Sequence, residues 1–117
     1  MGLLSVLMWK EVFDIQNKEI DREVIKEGPA NMIIGFENTG GKLFLTKDTL
    51  LFYSHGVNLK IKRLIIPIAL DEIIRVDKVS TLGFIPNGIK IITKEKDYKL
   101  VVQGRKNWIN EIEKLIS

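Results

Sequence analysis

The chain contains no cysteine and a single histidine, His55, among its 117 residues. Without thiols there is neither a disulfide framework nor a thiolate metal site, and one imidazole cannot build a multi-histidine centre. The same composition fits a cytoplasmic location, with the periphery of a membrane as the other place expected for the chain. Long apolar runs are missing too. Leu3 to Trp9 is interrupted by Ser5 and followed by Lys10 and Glu11, well short of the roughly 20 residues a spanning helix needs. No transmembrane segment is therefore expected. The chain opens Met1-Gly2, but Val6 stands where an N-myristoylation signal places Ser or Thr. Catalytic constellations are equally scarce. His55 has no evident partner for a nucleophilic dyad and reads as a hydrogen-bonded structural residue. Asp71 and Glu72 are adjacent and would diverge on a strand, and Gly40-Gly41 is not followed by the Lys-Ser or Lys-Thr of a phosphate cradle. The expected protein is not an enzyme and carries no cofactor or metal.

What is present is apolar material for one core. At 45% hydrophobic residues the chain is long enough to bury a single core and too short for two ordinary domains. The formal charge of +3 is unevenly spread: Met1 to Pro29 carries four basic and six acidic residues, which leaves +5 for the remainder. A mildly basic body behind an acidic leader favours anionic partners such as lipid head groups. Nucleic acid is disfavoured, because the strands lack aromatic stacking pairs beside an arginine-glycine signature.

Residues Leu3 to Ile25 have helical periodicity, with Leu4, Met8, Val12 and Ile15 one or more turns apart and Asp14 four residues before Lys18. Gly28-Pro29 ends that pattern. The division predicted is an N-terminal helical extension over 1–27 and a β-rich domain over 28–117. Strands are expected at 31–37, 42–46, 49–54, 64–69, 73–79, 88–93 and 97–103, the first two joined through Asn38-Thr39-Gly40-Gly41. Pro67 cannot donate to a ladder, so its strand belongs at a sheet edge or a bulge. Trp108, Ile109, Ile112, Leu115 and Ile116 then recur at helical spacing, with Lys106, Asn110, Glu113 and Lys114 on the other side. The fold class that follows is mainly β with helices: about seven antiparallel strands in two packed sheets, curled into a partly open barrel and capped by the C-terminal helix.

The segment from Lys42 to Ser54 is the one whose register can be solved in advance. With Lys47-Asp48 as the turn, Leu45 meets Leu50 and Leu43 meets Phe52 on a wholly apolar face, which must be the core face. The opposite face carries Lys42, Phe44, Leu51 and Tyr53, too apolar for a surface that meets only water. A cover is expected there, from the leader helix of the same chain or of a second copy in a homodimer.

The order of several short stretches resembles the GRAM family, a branch of the pleckstrin-homology-like superfold. They are Glu27-Gly28-Pro29-Ala30-Asn31, Gly40-Gly41-Lys42-Leu43-Phe44-Leu45-Thr46, Phe52-Tyr53-Ser54-His55, Ile66-Pro67-Ile68 before Asp71-Glu72-Ile73, Pro86-Asn87-Gly88-Ile89-Lys90-Ile91 and Arg105-Lys106-Asn107-Trp108. The resemblance runs from about Lys26 to Ile116. It implies a seven-stranded roll capped by a C-terminal helix, association with membranes, lipids or other proteins, and no catalysis. Lys47-Asp48-Thr49 departs from the Asn with Lys and Arg often found at that turn, and so carries less positive charge.

Two candidate contact regions remain. Lys60, Lys62 and Arg63 form the densest basic cluster, read first as charges guarding an edge strand and second as a contact for lipid phosphates. Leu82, Phe84 and Ile85 sit in a loop that either projects as an apolar contact or folds back over the core. Beside these two, the outer hairpin face of Phe44, Leu51 and Tyr53 is a second apolar surface. A phosphoinositide pocket of the pleckstrin-homology type is not expected, since the first two strands offer Glu37 and Lys42 alone. The function predicted is a binding or adaptor domain contacting an anionic lipid surface or a protein partner. The alternative is a homo-oligomer assembled through the N-terminal helix.

Overall fold

The computed structural model describes residues 23–54, 64–81 and 83–117. Among them are strands β1 (Lys26–Ile34), β2 (Glu37–Leu45), β3 (Thr49–Ser54), β4 (Ile65–Ala69), β5 (Ile73–Thr81), β6 (Ile85–Thr93) and β7 (Asp97–Val102), and helix α1 (Arg105–Ile116). The N-terminal helix expected at 3–25 lies outside the described residues up to Arg22. By Ile25 the chain is already on the sheet, where its N–H donates to the Leu45 carbonyl at 2.7 Å.

The β2–β3 hairpin has the register predicted for it, with Leu45 opposite Leu50, Phe44 opposite Leu51, Leu43 opposite Phe52 and Lys42 opposite Tyr53. Its turn works without glycine because side chains supply the bonds. Thr46 N–H donates to Thr49 O at 2.9 Å, the Thr46 hydroxyl accepts from Thr49 N–H at 3.1 Å, and Asp48 Oδ1 accepts from the Thr49 hydroxyl at 3.1 Å. Such local side-chain bonds substitute for the backbone freedom that glycine would otherwise provide.

Two packed sheets are predicted, but the strands form one continuous sheet in the order β4-β3-β2-β1-β7-β6-β5. The reason is β1. It pairs with β2 from Lys26↔Leu45 to Ile34↔Glu37, and on its other edge with β7 from Ala30↔Val102 to Ile33↔Lys99. The sheet curls into a half-barrel, so that Leu43, Phe52 and Ile68 from one end share a cluster with Ile89, Ile91 and Leu100 from the other. Helix α1 closes the cluster with Trp108, Ile109 and Ile112, all buried, while Lys106, Asn110, Glu113 and Lys114 face water. Pro67 sits on β4, an outer strand paired only with β3, where a missing N–H removes no ladder bond.

The first strand begins at Lys26 and ends at Ile34, earlier at both ends than the predicted 31–37. The turn that follows is Gly35-Phe36, with Gly35 at φ 62, a conformation that suits glycine at the first central position of a hairpin turn. Gly40-Gly41, predicted as that connection, lies inside β2. Its glycine serves close approach: a Cβ on Gly41 would stand 2.8 Å from both Phe52 Cζ and Ser54 Cα. Similarly, β6 begins at Ile85, so the predicted loop over 80–87 contracts to a tight turn.

Gly41→Ala must therefore push the β3 backbone aside. The expected loss is about 1–3 kcal/mol, typical of overpacking a filled site, read as a lower urea midpoint at unchanged slope. A wild-type midpoint would mean that the β2–β3 ladder relaxes at no cost.

Candidate functional site

The β5–β6 turn projects an aromatic side chain. Phe84 N–H donates to Thr81 O at 3.1 Å, Gly83 takes φ 80, and the Thr81 hydroxyl donates to Asn87 Oδ1 at 2.7 Å across the neck of the turn. Held this way, Phe84 is 77% exposed, Pro86 is exposed and Ile85 is half-buried. Of the two predicted dispositions, Phe84 takes the outward one. Leu82 lies outside the described residues.

No charged side chain occurs between Val79 and Gly88, whereas cations gather at the base of the hairpin. Arg105, the first residue of α1, donates from Nη1 to the Val79 carbonyl at 3.1 Å and so ties the helix to the end of β5. Lys78 and Lys106 are exposed and line one shallow depression with Val76, Ile109, Asn110 and Glu113. Asp77, the nearest acidic residue on β5, is engaged by Arg75 at 3.2 Å. The arrangement is a neutral apolar tip standing on a mainly cationic base.

Beside the tip, Pro29, Asn31, Pro86, Asn87, Gln103 and Arg105 border an open groove of about 570 Å³. Arg105 is its one titratable lining residue among the described residues, so the groove brings no acid and base together. Likewise, among the described residues no three His, Asp or Glu side chains converge in a way that could hold a metal ion, and no helix is long and apolar enough to cross a membrane.

The other predicted site residues are distributed differently. Phe44 and Leu51 are 0% exposed and Tyr53 is 2% exposed, so this predicted contact surface is closed. The three form a cluster of their own with Val24 and Ile65, apart from the main core. Lys60, Lys62, Arg63 and His55 lie outside the described residues. The points between which 55–63 run are nevertheless fixed: Ser54 N–H donates to Leu64 O at 2.9 Å, and Leu64 N–H donates to Ser54 Oγ at 2.6 Å. One exposed aromatic escapes the sequence reading altogether. Phe36, fully exposed at the β1–β2 turn, falls inside a predicted strand; the Gly-Phe pair ahead of Glu37 was the available turn signal.

Comparison with known proteins places this geometry. The family model described as GRAM domain matches residues 37–115. None of the curated proteins matches the sequence. Among solved structures, the C-terminal domain of an unknown protein from Leishmania infantum is similar with a TM-score of 0.70 at 16% identity, covering 97% of this chain and 99% of that one. The linker-DH/PH structure of p115-RhoGEF gives a TM-score of 0.68 at 19% identity, covering 88% of this chain and 32% of that one, so this chain spans about a third of it. The Slm1-PH domain, described as binding ligand in a non-canonical site, gives 0.61 at 16% identity, covering 80% and 98%. At these identities the likeness is one of fold.

The clamp at Ser54 is directly testable. Ser54→Ala removes the partner of the Leu64 N–H, and losing that half-buried hydrogen bond costs about 0.5–1.5 kcal/mol. Hydrogen exchange at the Leu64 amide should accelerate more than that of the β6–β7 amides; equal acceleration throughout would mean a global effect with no local clamp.

Proposed function

Because the chain belongs to the GRAM domain family, we propose that it is a non-enzymatic binding module whose β5–β6 tip contacts an anionic lipid surface. GRAM and pleckstrin-homology-like domains are in general lipid- or protein-binding modules without catalytic activity. The observation that carries the reading is the exposure of Phe84 on a tip that has no charge of its own and has Lys78, Arg105 and Lys106 at its base. A phenylalanine moved out of water contributes about 2 kcal/mol, and each basic residue held near an anionic surface about 1 kcal/mol. Their sum, roughly 5 kcal/mol, describes a weak and salt-sensitive contact. Lys60, Lys62 and Arg63 belong to the same proposal as a second, purely electrostatic contribution.

Co-sedimentation with neutral phosphatidylcholine vesicles and with vesicles containing phosphatidylserine provides the test. Binding is expected to the anionic vesicles alone at low salt and to vanish near 0.5 M salt, where the Debye length is about 4 Å. Phe84→Ser should weaken it by roughly thirtyfold, the equivalent of about 2 kcal/mol, and the double substitution Lys78→Glu/Lys106→Glu by at least as much. A triple Lys60→Ala/Lys62→Ala/Arg63→Ala variant measures the second contribution. Absence of pull-down by anionic vesicles at the lowest salt removes the lipid reading and leaves the tip as a protein contact.

A further inference from the structure

The groove beside the Phe84 tip has its origin in two prolines. β7 is paired with β1 as far as Ala30↔Val102 and with β6 as far as Gly88↔Val101. Pro29 and Pro86 stand one and two residues beyond these pairs, and neither has an N–H with which to extend a ladder. The end of β7 is thus released from both neighbours, and the chain leaves it through Gly104, at φ 67, into α1. The space between these segments, about 570 Å³, lies in the size range of small-ligand sites.

Its chemistry is selective. Asn31, Asn87 and Gln103 contribute three carboxamides and Arg105 a single guanidinium. Asn87 Oδ1 accepts from the Thr81 hydroxyl, which leaves the amide nitrogen to donate, and Arg105 spends on the Val79 carbonyl one of the donors that a guanidinium carries. No carboxylate lines the groove among the described residues. One cation complements one negative charge; a second negative charge would find no partner in the groove, and neither would an ammonium group. Carboxamides both donate and accept, so they complement hydroxyl groups. A monoanionic phosphodiester bearing a hydroxylated headgroup meets these conditions. Position relates the groove to the tip, since Asn87 is three residues from Phe84, no more than about 10 Å of extended chain. With Phe84 at the boundary of the acyl chains, the groove stands in the polar layer outside the hydrocarbon core.

We propose that the groove between β1, the end of β7 and the β5–β6 turn is a headgroup site for a phospholipid of this class, the Arg105 guanidinium holding the phosphodiester and the carboxamides of Asn31 and Gln103 the headgroup hydroxyls. Phosphatidylglycerol is the simplest such lipid; phosphatidylserine has the same net charge but brings an ammonium group. The inference rests on the lipid contact proposed for the tip and adds to it a choice between anionic lipids of equal charge, which attraction between net charges alone does not provide.

Co-sedimentation at one salt concentration with phosphatidylcholine vesicles containing equal fractions of either phosphatidylglycerol or phosphatidylserine tests it. The wild-type protein should bind the phosphatidylglycerol vesicles about tenfold more tightly, the effect of one or two hydrogen bonds. Asn31→Leu and Gln103→Leu, which change no charge, should each bring that ratio below about threefold. Equal wild-type binding to the two lipids leaves the tip contact standing and overturns the headgroup site, as does a preference that both variants retain. Binding to neither lipid removes the tip contact and the headgroup site together. Titration with soluble glycerophosphoglycerol, followed by NMR at the Asn31, Gln103 and Arg105 amides, separates the lipid from a free phosphodiester. Shifts at those amides without the vesicle preference assign the groove to a soluble ligand and overturn the lipid site; the preference, lost in both variants, supports it.

Discussion

The rest of the fold depends on β1 lending both of its edges. Its ladder to β2 runs the full length of the strand, and its ladder to β7 uses the four residues from Ala30 to Ile33. Without the second ladder there would be a four-stranded and a three-stranded piece, each with an apolar face and a raw edge. With it, the sheet curls far enough for residues on β3 and β6 to touch one cluster, and the space left at the open end is the size of one helix. Gly28 shows how close that closure is: a Cβ there would be 3.6 Å from the Trp108 ring. The β4–β5 connection is held at both ends by backbone bonds, Leu70 N–H to Asp48 O at 2.9 Å and Lys94 N–H to Glu72 O at 3.2 Å, which fasten it to the β2–β3 and β6–β7 turns.

A half-barrel leaves two edge strands, and both are poor templates for another chain. β4 is five residues long and carries Pro67. β5 is broken by register shifts between Ile73 and Arg75 and again between Val79 and Thr81, and it exposes Arg75 and Lys78. Short length, proline, irregularity and charge are the features by which sheets discourage edge pairing. Strand addition is therefore an unfavourable mode of recognition for this domain. Contacts fall to the turns, whose side chains the edges do not constrain.

Legibility in the sequence followed the range of the interactions involved. The β2–β3 register was readable because Leu43, Leu45, Leu50 and Phe52 all lie within a few residues of one turn, and α1 because its period is unambiguous. The β1–β7 ladder joins residues about seventy positions apart, which no local pattern encodes, and so a single sheet was read as two. Gly40-Gly41 misled for a related reason: a glycine needed for tight strand approach and a glycine needed for a turn are the same letter, and only the position of Ser54 distinguishes them. The direction of Phe84 was likewise undecidable in advance, since it rests on the Thr81–Asn87 bond and the conformation of Gly83. The groove beside the tip left no signal at all, because its walls come from three separate stretches of chain.

Two turns present a phenylalanine after a glycine of positive φ, Gly35-Phe36 and Gly83-Phe84, and they are not equivalent. Following β7, Lys99 stands opposite Ile33 and Val101 opposite Gly88, so the two tips lie at opposite ends of that strand. At the Phe36 end, Glu37, Glu95 and Asp97 are interleaved with Lys94, Lys96 and Lys99. One of those lysines is already committed, Lys96 lying 4.8 Å over the Tyr98 ring, and Asp97 is paired with Lys90 at 3.6 Å. A surface of mixed sign gives an anionic partner little net attraction. At the Phe84 end the tip is neutral, Asp77 is engaged by Arg75, and the cations at the base, Lys78 and Lys106, remain exposed. Exposure of an aromatic side chain is common to both tips; the sign of the surrounding charge is what singles out Phe84.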